Sequence, residues 1–309
     1  MTMPSEGEIR SRINSIQSTQ KITSAMYMIS STKMRQAKEE LDKTRPFFEL
    51  QETEIKRIFQ SVPDAHSRYF YPESGRKAAE TYAYLVITAD KGLAGAYNHN
   101  VLKMAEQQIS KHEHVQLYVV GAYGRHFFEK KNIPIARSFL YTAQNPTVRR
   151  AREICSILLE QYDTGKVDEI RGIYSDMQSE LISDVKMVKL LPFERYNFAT
   201  RDDEMTVERF EFVPSVEKVL DNVMASYVSG FVYGALVDSF SAEQNARMAA
   251  MESANRNAEE LLADLRLKYN RMRQASITQE ITEVSAGSRA RRKRQDPARK
   301  EENNEGGTE

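Results

Sequence analysis

Residues 241–284 read SAEQNARMAAMESANRNAEELLADLRLKYNRMRQASITQEITEV. They hold neither proline nor glycine, and the breaker-free stretch around them runs from Ala235 to Ala286. Helix-stopping residues are this scarce only where one helix runs far. Leu262, Leu265, Tyr269 and Met272, then Ile277, Ile281 and Val284, keep the alternating spacing of three and four that marks a coiled-coil seam. Upstream, Val216, Val219, Val223 and Tyr227 keep a similar spacing. Pro214-Ser215 supplies a first-turn proline and a capping serine before them. Continuous from there to Gly287, the helix would span on the order of 110 Å.

The other end of the chain answers it. From Glu8 to Arg45 there is again no proline or glycine, and Ser5 with Glu8 forms an S-x-x-E capping box. A helix from here to about residue 60 would measure about 80 Å, with Pro46 bending it. Its inward stripe is Ile9, Ile13, Ile16, Gln20, Thr23, Tyr27, Ser30, Met34, Ala37 and Leu41, a seam with a polar middle. Eight of the twenty residues from Asn14 to Lys33 are Ser or Thr. At up to roughly 0.5 kcal/mol each relative to Ala, they make this helix dependent on packing partners. Two long helices at opposite ends of one chain pair most simply antiparallel.

Between them the sequence is punctuated. Pro63, Pro72, Pro134, Pro146, Pro192 and Pro214 fall here, with seven glycines between residues 75 and 172. YAYLVIT (82–88), VQLYVVG (115–121), DEIRGIYS (168–175) and VKMVKLLP (185–192) read as strands. Segments 97–111, 122–131 and 147–163 between them read as helices. Alternation of this kind predicts a Rossmann-like α/β domain with a largely parallel sheet. The fold class is therefore α plus α/β, a long antiparallel coiled coil on a globular body. The boundaries are a coiled-coil helix over 1–62, the α/β domain over 63–213, a second coiled-coil helix over 214–287, and a disordered charged tail over 288–309. Within that tail SRARRKRQDPARK holds seven basic residues and EENNEGGTE is acidic and polar, with nothing to bury.

Bulk composition excludes several classes. Lys plus Arg equals Asp plus Glu at 44 each, so no general affinity for polyanions is expected and nucleic acid is not a predicted partner. One cysteine, Cys155, permits no internal disulfide. The start MTMPSEGEIR lacks a signal-peptide core. Val223–Val237 is the most membrane-like stretch, but at 15 residues it falls short of the roughly 20 a spanning helix needs and reads as a buried segment.

Candidate chemistry is sparse. The loop Thr88-Ala89-Asp90-Lys91-Gly92-Leu93-Ala94-Gly95 joins a strand to a helix, where an α/β fold can cradle phosphate. Its lysine precedes the glycines instead of following them, so a tight turn is the favoured reading. His112-Glu113-His114 has the letters of a metal site but no third ligand nearby. His126 has no nucleophile arranged beside it. Cys155 sits in an apolar run and reads as a small buried residue. Gly230-x-x-x-Gly234 suggests close approach of two backbones. Arg291-Arg292-Lys293-Arg294 reads as solvated tail. No catalytic constellation and no cofactor site emerges.

The quoted motifs have a family likeness. IRSRINSIQSTQKITSAMYMISSTKMRQAK (9–38) and residues 241–284 resemble the terminal helices of the F-type ATP synthase gamma subunit. TADKGLAGAYN (88–98) resembles the loop after the first strand of its α/β domain, and Arg45-Pro46 its bend. The likeness covers residues 8–287. It implies a non-catalytic central stalk whose coiled coil stands inside a ring of three alpha and three beta subunits. The body would contact the epsilon subunit and the membrane c-ring. Rotation driven by ion flow would then set synthesis or hydrolysis at the beta subunits, with a contribution to regulating both. Matching positions imply that Met26, Lys33, Arg247, Arg273, Gln274 and Thr278 face the ring. The implied setting is the cytoplasmic face of a bacterial membrane, as a peripheral protein.

One departure stands out: where the family has a short apolar tip, this chain continues Ser288-Arg289-Ala290-Arg291-Arg292 to residue 309. Burying such arginines without partners is costly, so a tail in solvent is expected. The chloroplast redox-cysteine insertion is not apparent. An unrelated coiled-coil tether, or an α/β enzyme using the 88–95 loop, stays open as an alternative from the residues alone.

Overall fold

The computed structural model describes residues 5–71, 79–140, 142–177, 183–198 and 211–302, with side chains as far as Arg291 in the last stretch. The elements are α1 (Glu6–Ser61), β1 (Thr81–Ile87), α2 (Tyr97–Ile109), β2 (His114–Val120), α3 (Ala122–Lys130), β3 (Arg137–Phe139), α4 (Val148–Asp163), β4 (Glu169–Met177), β5 (Ser183–Leu191) and α5 (Val216–Glu302). They fall into two compact units, one of residues 1–25 with 252–309 and one of residues 26–251. Helices α1 and α5 contribute a segment to each.

In the first unit α1 begins with the capping box: the Ser5 amide donates to Glu8 Oε2 at 3.0 Å and the Glu8 amide to Ser5 Oγ at 3.3 Å. The helices are antiparallel here. Gln20 Nε2 donates to Glu259 Oε1 at 3.3 Å, Thr23 bonds Asn255, and Asn255 Nδ2 donates to Ser24 Oγ at 3.2 Å. Ile9, Ala258 and Leu262 are buried, and Ile13, Ile16, Gln20 and Thr23 are half-buried. A polar pair inside an apolar seam sets register, because any slip leaves it unpaired. The exposed hydroxyls bond their own helix: Ser18 to the Asn14 carbonyl at 2.9 Å and Thr19 to the Ser15 carbonyl at 3.1 Å. In α5 Thr278 bonds Gln274 and Thr282 bonds Thr278 in the same way.

From Arg273 to Arg291 every α5 side chain is exposed, including Ile277, Ile281 and Val284. The helix does not stop near Gly287, as the composition suggests, but continues to Glu302. A single helical glycine costs only about 1 kcal/mol and the Ala, Arg, Lys and Gln residues that follow are strong helix formers, although Pro297 opposes the helix by about 3 kcal/mol. The end of the tail, 303–309, lies outside the described residues.

In the second unit the five-stranded sheet has the order β3-β2-β1-β4-β5. Pairs β3–β2, β2–β1 and β1–β4 are parallel, and the edge pair β4–β5 is antiparallel. Alternation along β1 divides the core. Ala83, Leu85 and Ile87 face Ile55 and Ile58 of α1, Ile154 and Leu158 of α4, and the α5 run from Leu220 to Val237. Tyr84 and Val86 face Val101, Leu102 and Ala105 of α2 and Phe128 of α3. Both faces of a parallel sheet need such cover, hence the continuous apolar runs. The four longer strands and three central helices lie within about two residues of their predicted spans. The short edge strand β3 was not anticipated, because Arg137-Ser138-Phe139 has too few residues to show a period.

The most apolar window of α5 has enough hydropathy to cross a membrane by composition, yet 61% of it is buried inside the protein. In this unit Tyr27, Ser30, Met34, Ala37 and Leu41 of α1 are likewise buried or half-buried. Gly230 lies beneath the Phe48 ring, and Gln51 Nε2 donates to Ser226 Oγ. The Gly-x-x-x-Gly expectation needs correction: Gly230 makes room for a side chain and not a backbone, and a Cβ on Gly234 would meet nothing within 4 Å. Gly230→Ala should therefore overpack the seam and cost about 1–3 kcal/mol. Gly234→Ala should be neutral or stabilising by up to about 1 kcal/mol. Urea unfolding of the two variants against the parent checks the opposite signs.

Candidate functional site

Strand order reverses beside β1, with β2 and β3 on one side and β4 on the other. Ligands of open α/β sheets bind in the crevice beyond the strand ends at such a switch point. Here the loop 88–95 forms its rim, tied to its neighbours by side-chain bonds. Thr88 Oγ1 donates to the Val120 carbonyl at 2.8 Å and accepts from the Gly124 amide at 3.1 Å. Asn98 Oδ1 accepts from the Ala89 amide at 3.0 Å. Asp90 Oδ1 accepts from the Ala122 amide at 2.8 Å, at the first turn of α3. That helix N-terminus is where a phosphate would be drawn, and a carboxylate already stands there. Gly121, at φ +96°, passes so close to the Thr88 and Ala89 carbonyls that a side chain would overlap them.

The crevice itself is filled by α5. Past the last β1–β4 pair, Val86 with Ile173, the Ser175 amide donates to Ser239 Oγ at 3.3 Å. Ala242 packs on Ala89, Ala94 and Tyr97. Arg247 Nη2 donates to Glu243 Oε1 at 2.6 Å and to the Gly92 carbonyl at 3.2 Å. Both partners of that ion pair are more than 90% buried. Burial raises the Glu243 carboxyl above its ordinary range, with Asp90 adding to the effect and Arg247 and Lys33 opposing it. Burial also drives the Tyr97 phenol upward, so it stays protonated as a hydrogen-bonding group beside Ser239. Such a site holds a helix. At the rim Leu93 adopts φ +62° and is 67% exposed.

The residues implied to face a ring are dispersed. Met26 is half-buried and Lys33 exposed on α1. Arg247 is buried in its pair with Glu243, and the Lys33 charge acts on that same carboxylate. Arg273, Gln274 and Thr278 are exposed on α5, the last two joined by the Thr278 hydroxyl bond to the Gln274 carbonyl at 2.8 Å. His112 stacks on Tyr82 with ring centroids 3.7 Å apart, and burial lowers its pKa. His126 is exposed beside Arg125. Cys155 is 1% exposed, and burial pushes its thiol up to about 12, which leaves it unreactive. Sequence reasoning missed Asp90 as a cap and Ser239 as a plug, since each acts on an element distant in the chain. The Glu243–Arg247 pair was visible as an i, i+4 spacing.

A family model described as ATP synthase matches residues 5–290. The ATP synthase gamma chain of Caldanaerobacter subterraneus subsp. tengcongensis is 41% identical over 291 residues, covering 91% of this chain and 98% of that relative. The chain belongs to the ATP synthase gamma-chain family. It is thus a central-stalk subunit, not a catalyst on its own. The ATP synthase gamma chain of Ruminiclostridium cellulolyticum is 40% identical over 287 residues, covering 92% of this chain and 97% of that relative. Among solved structures, a chain of the Euglena gracilis mitochondrial ATP synthase matches with a TM-score of 0.63 at 16% identity, over 91% of this chain and 93% of its own length. A chain of the Tetrahymena thermophila mitochondrial ATP synthase central stalk matches with a TM-score of 0.57 at 23% identity, over 75% and 99%. At those identities the likeness is one of fold, and it agrees with the predicted α plus α/β class.

For a gamma chain, the plugged crevice means that the body grips its own long helix. Arg247→Ala should leave Glu243 buried and unpaired, costing about 3–5 kcal/mol. The double variant Glu243→Leu with Arg247→Met should recover most of that loss. Chemical denaturation of the three proteins checks the order.

Proposed function

We propose that this chain is the turning shaft of a bacterial rotary ATP synthase, coupling ion-driven rotation to ATP synthesis and hydrolysis on partner subunits. The observation that carries the reading is the ladder Ile277, Ile281 and Val284, at 46%, 62% and 73% exposure. An apolar face of that kind, uncovered among the described residues, calls for a surrounding sleeve. A ring of three alpha and three beta subunits provides one in this reading. The α/β body, residues 63–213, rests on the epsilon subunit and the membrane c-ring. The helical segments 1–62 and 214–287 form the rod. The complex lies on the cytoplasmic face of the membrane, with this subunit peripheral to it.

Rotation acts through unequal binding. A rod with a different face at each angle stabilises different conformations of the three catalytic subunits, and so shifts their populations. Met26, Lys33, Arg247, Arg273, Gln274 and Thr278 are proposed to meet the ring. Arg273 offers its guanidinium to carboxylates there, in a charge-assisted bond that must break on each step. Among the described residues Arg247 bonds Glu243 and Gly92 through Nη2. The stretch from Arg289 onward is proposed to emerge beyond the sleeve into solvent. Regulation of hydrolysis and of ion flow belongs to the same reading, since a shaft that stops halts both.

The test mixes purified chain with its host's alpha and beta subunits and measures particle mass and ATP hydrolysis. A particle with one copy of this chain to three of each partner, active only with it, is the expected result. A chain that stays alone or dimeric would overturn the reading in favour of a coiled-coil tether. Truncation of residues 290–309 should leave that particle's assembly and turnover intact. A large loss of either would instead place the tail inside the working interface.

A further inference from the structure

The first histidine of the His112-Glu113-His114 run closes the turn after α2, where its amide donates to the Ile109 carbonyl at 3.3 Å. Its ring leaves the turn and lies flat on Tyr82 of β1, with centroids 3.7 Å apart and planes 27° from parallel. Tyr84 lies beyond, its ring centroid 6.2 Å from the imidazole. The β1–β4 register sets Glu169 beside Tyr82 and Arg171 beside Tyr84. The Arg171 guanidinium spans the group, 4.9 Å from the Tyr82 centroid and 5.9 Å from that of Tyr84. Its Nε donates to Glu169 Oε1 at 2.5 Å and its Nη1 to the Tyr84 hydroxyl at 3.3 Å. The same Nη1 stands 3.5 Å from His112 Nε2. A guanidinium has no lone pair to offer, so Nε2 is the acceptor and the imidazole proton sits on Nδ1.

We propose that His112 is an acid-released clasp, which holds the end of α2 on the sheet while its ring is neutral and frees that turn when the ring takes up a proton. The neutral ring presents its Nε2 lone pair to Arg171 and its face to Tyr82. A proton from solvent occupies that lone pair, and the guanidinium then faces an N–H and a second positive charge. Arg171 keeps its charge and is held in place by Glu169, itself buried, so the histidine is the partner that leaves. Lys111, in the same turn, adds to the repulsion, and Glu169 opposes it. Burial raises the Tyr84 phenol, so it offers Arg171 a hydroxyl and no charge. What the turn secures is α2, whose Val101, Leu102 and Ala105 cover one face of the sheet.

The direction of the titration agrees with the geometry. Burial first, then the Arg171 charge, lowers the His112 pKa from its ordinary 6.5, with Glu169 opposing. Over the pH range in which the folded ring stays neutral, the opened turn already binds a proton, so falling pH favours opening. The clasp therefore contributes fully above about pH 6.5 and weakens as pH falls toward the folded value. A histidine that faces a carboxylate is strengthened by acid. Here the sign reverses, because the group bonded to the ring is a cation.

Nitrogen NMR of the imidazole rings in the full-length parent, with His112 assigned through bonds from its own backbone amide, tests the arrangement itself. At about pH 7.5 His112 should be the Nδ1–H tautomer, the minority form of free histidine, and its protonation midpoint should lie below 6.5. An Nε2–H tautomer, or a midpoint at or above 6.5, would overturn the proposal. Hydrogen exchange between about pH 7.5 and pH 5, corrected for intrinsic rates, reads the release. Protection of peptides covering residues 108–116 should fall roughly three- to tenfold on acidification. His112→Phe keeps a ring on Tyr82 and cannot titrate, so its protection there should not change with pH. A loss of protection that persists in that variant, or no loss in the parent, equally rejects the clasp. Both measurements use the free chain, so their failure leaves the shaft reading standing, and failure to assemble with a ring leaves the clasp standing.

Discussion

An open parallel sheet has a crevice at its topological switch point, and in many α/β proteins a ligand occupies it. In this chain the occupant is α5, held by the Ser239 bond to the end of β4, by Ala242 against Tyr97, and by Arg247 between Glu243 and the Gly92 carbonyl. Much else follows from that seating. The loop 88–95 is ordered because its bonds are to neighbouring strands and helices. Asp90 caps α3 from that loop, putting a carboxylate at the helix N-terminus. The apolar stretch of α5 from Leu220 to Val237 covers one sheet face because the helix is fixed just beyond it.

The long helices were legible because their signals are cumulative. Ten stripe positions from Ile9 to Leu41, chosen from spacing alone, are all buried or half-buried. The strands were legible because β-branched and aromatic runs between glycines and prolines leave little choice. The site was not, for a physical reason. Ser239 meets Ser175 across 64 residues and Arg247 meets Gly92 across 155, and no local pattern encodes which distant backbone group a side chain will satisfy. The end of α5 was misjudged in the opposite direction: composition suggested disorder after Gly287, whereas the helix continues to Glu302. Arg247 shows a further limit. The family likeness names the residue, but only the coordinates reveal that its guanidinium is already engaged inside the chain.

Polar groups at the α1–α5 contact serve register more than strength. The Gln20–Glu259 and Thr23–Asn255 pairs lie where apolar residues would pack more tightly. Replacing them with leucine would allow several alignments of nearly equal energy.

The self-bonded hydroxyls along α1 have a mechanical consequence. Ser18, Thr19 and Thr32 each direct the hydroxyl hydrogen back to a carbonyl one turn earlier. A surface rich in Ser and Thr is ordinarily adhesive, since each hydroxyl seeks a donor and an acceptor in whatever touches it. With the donor committed to its own helix, such a surface is wettable yet offers a surrounding wall little to hold. That is the surface chemistry of a bearing, in which contact is kept while grip is lost.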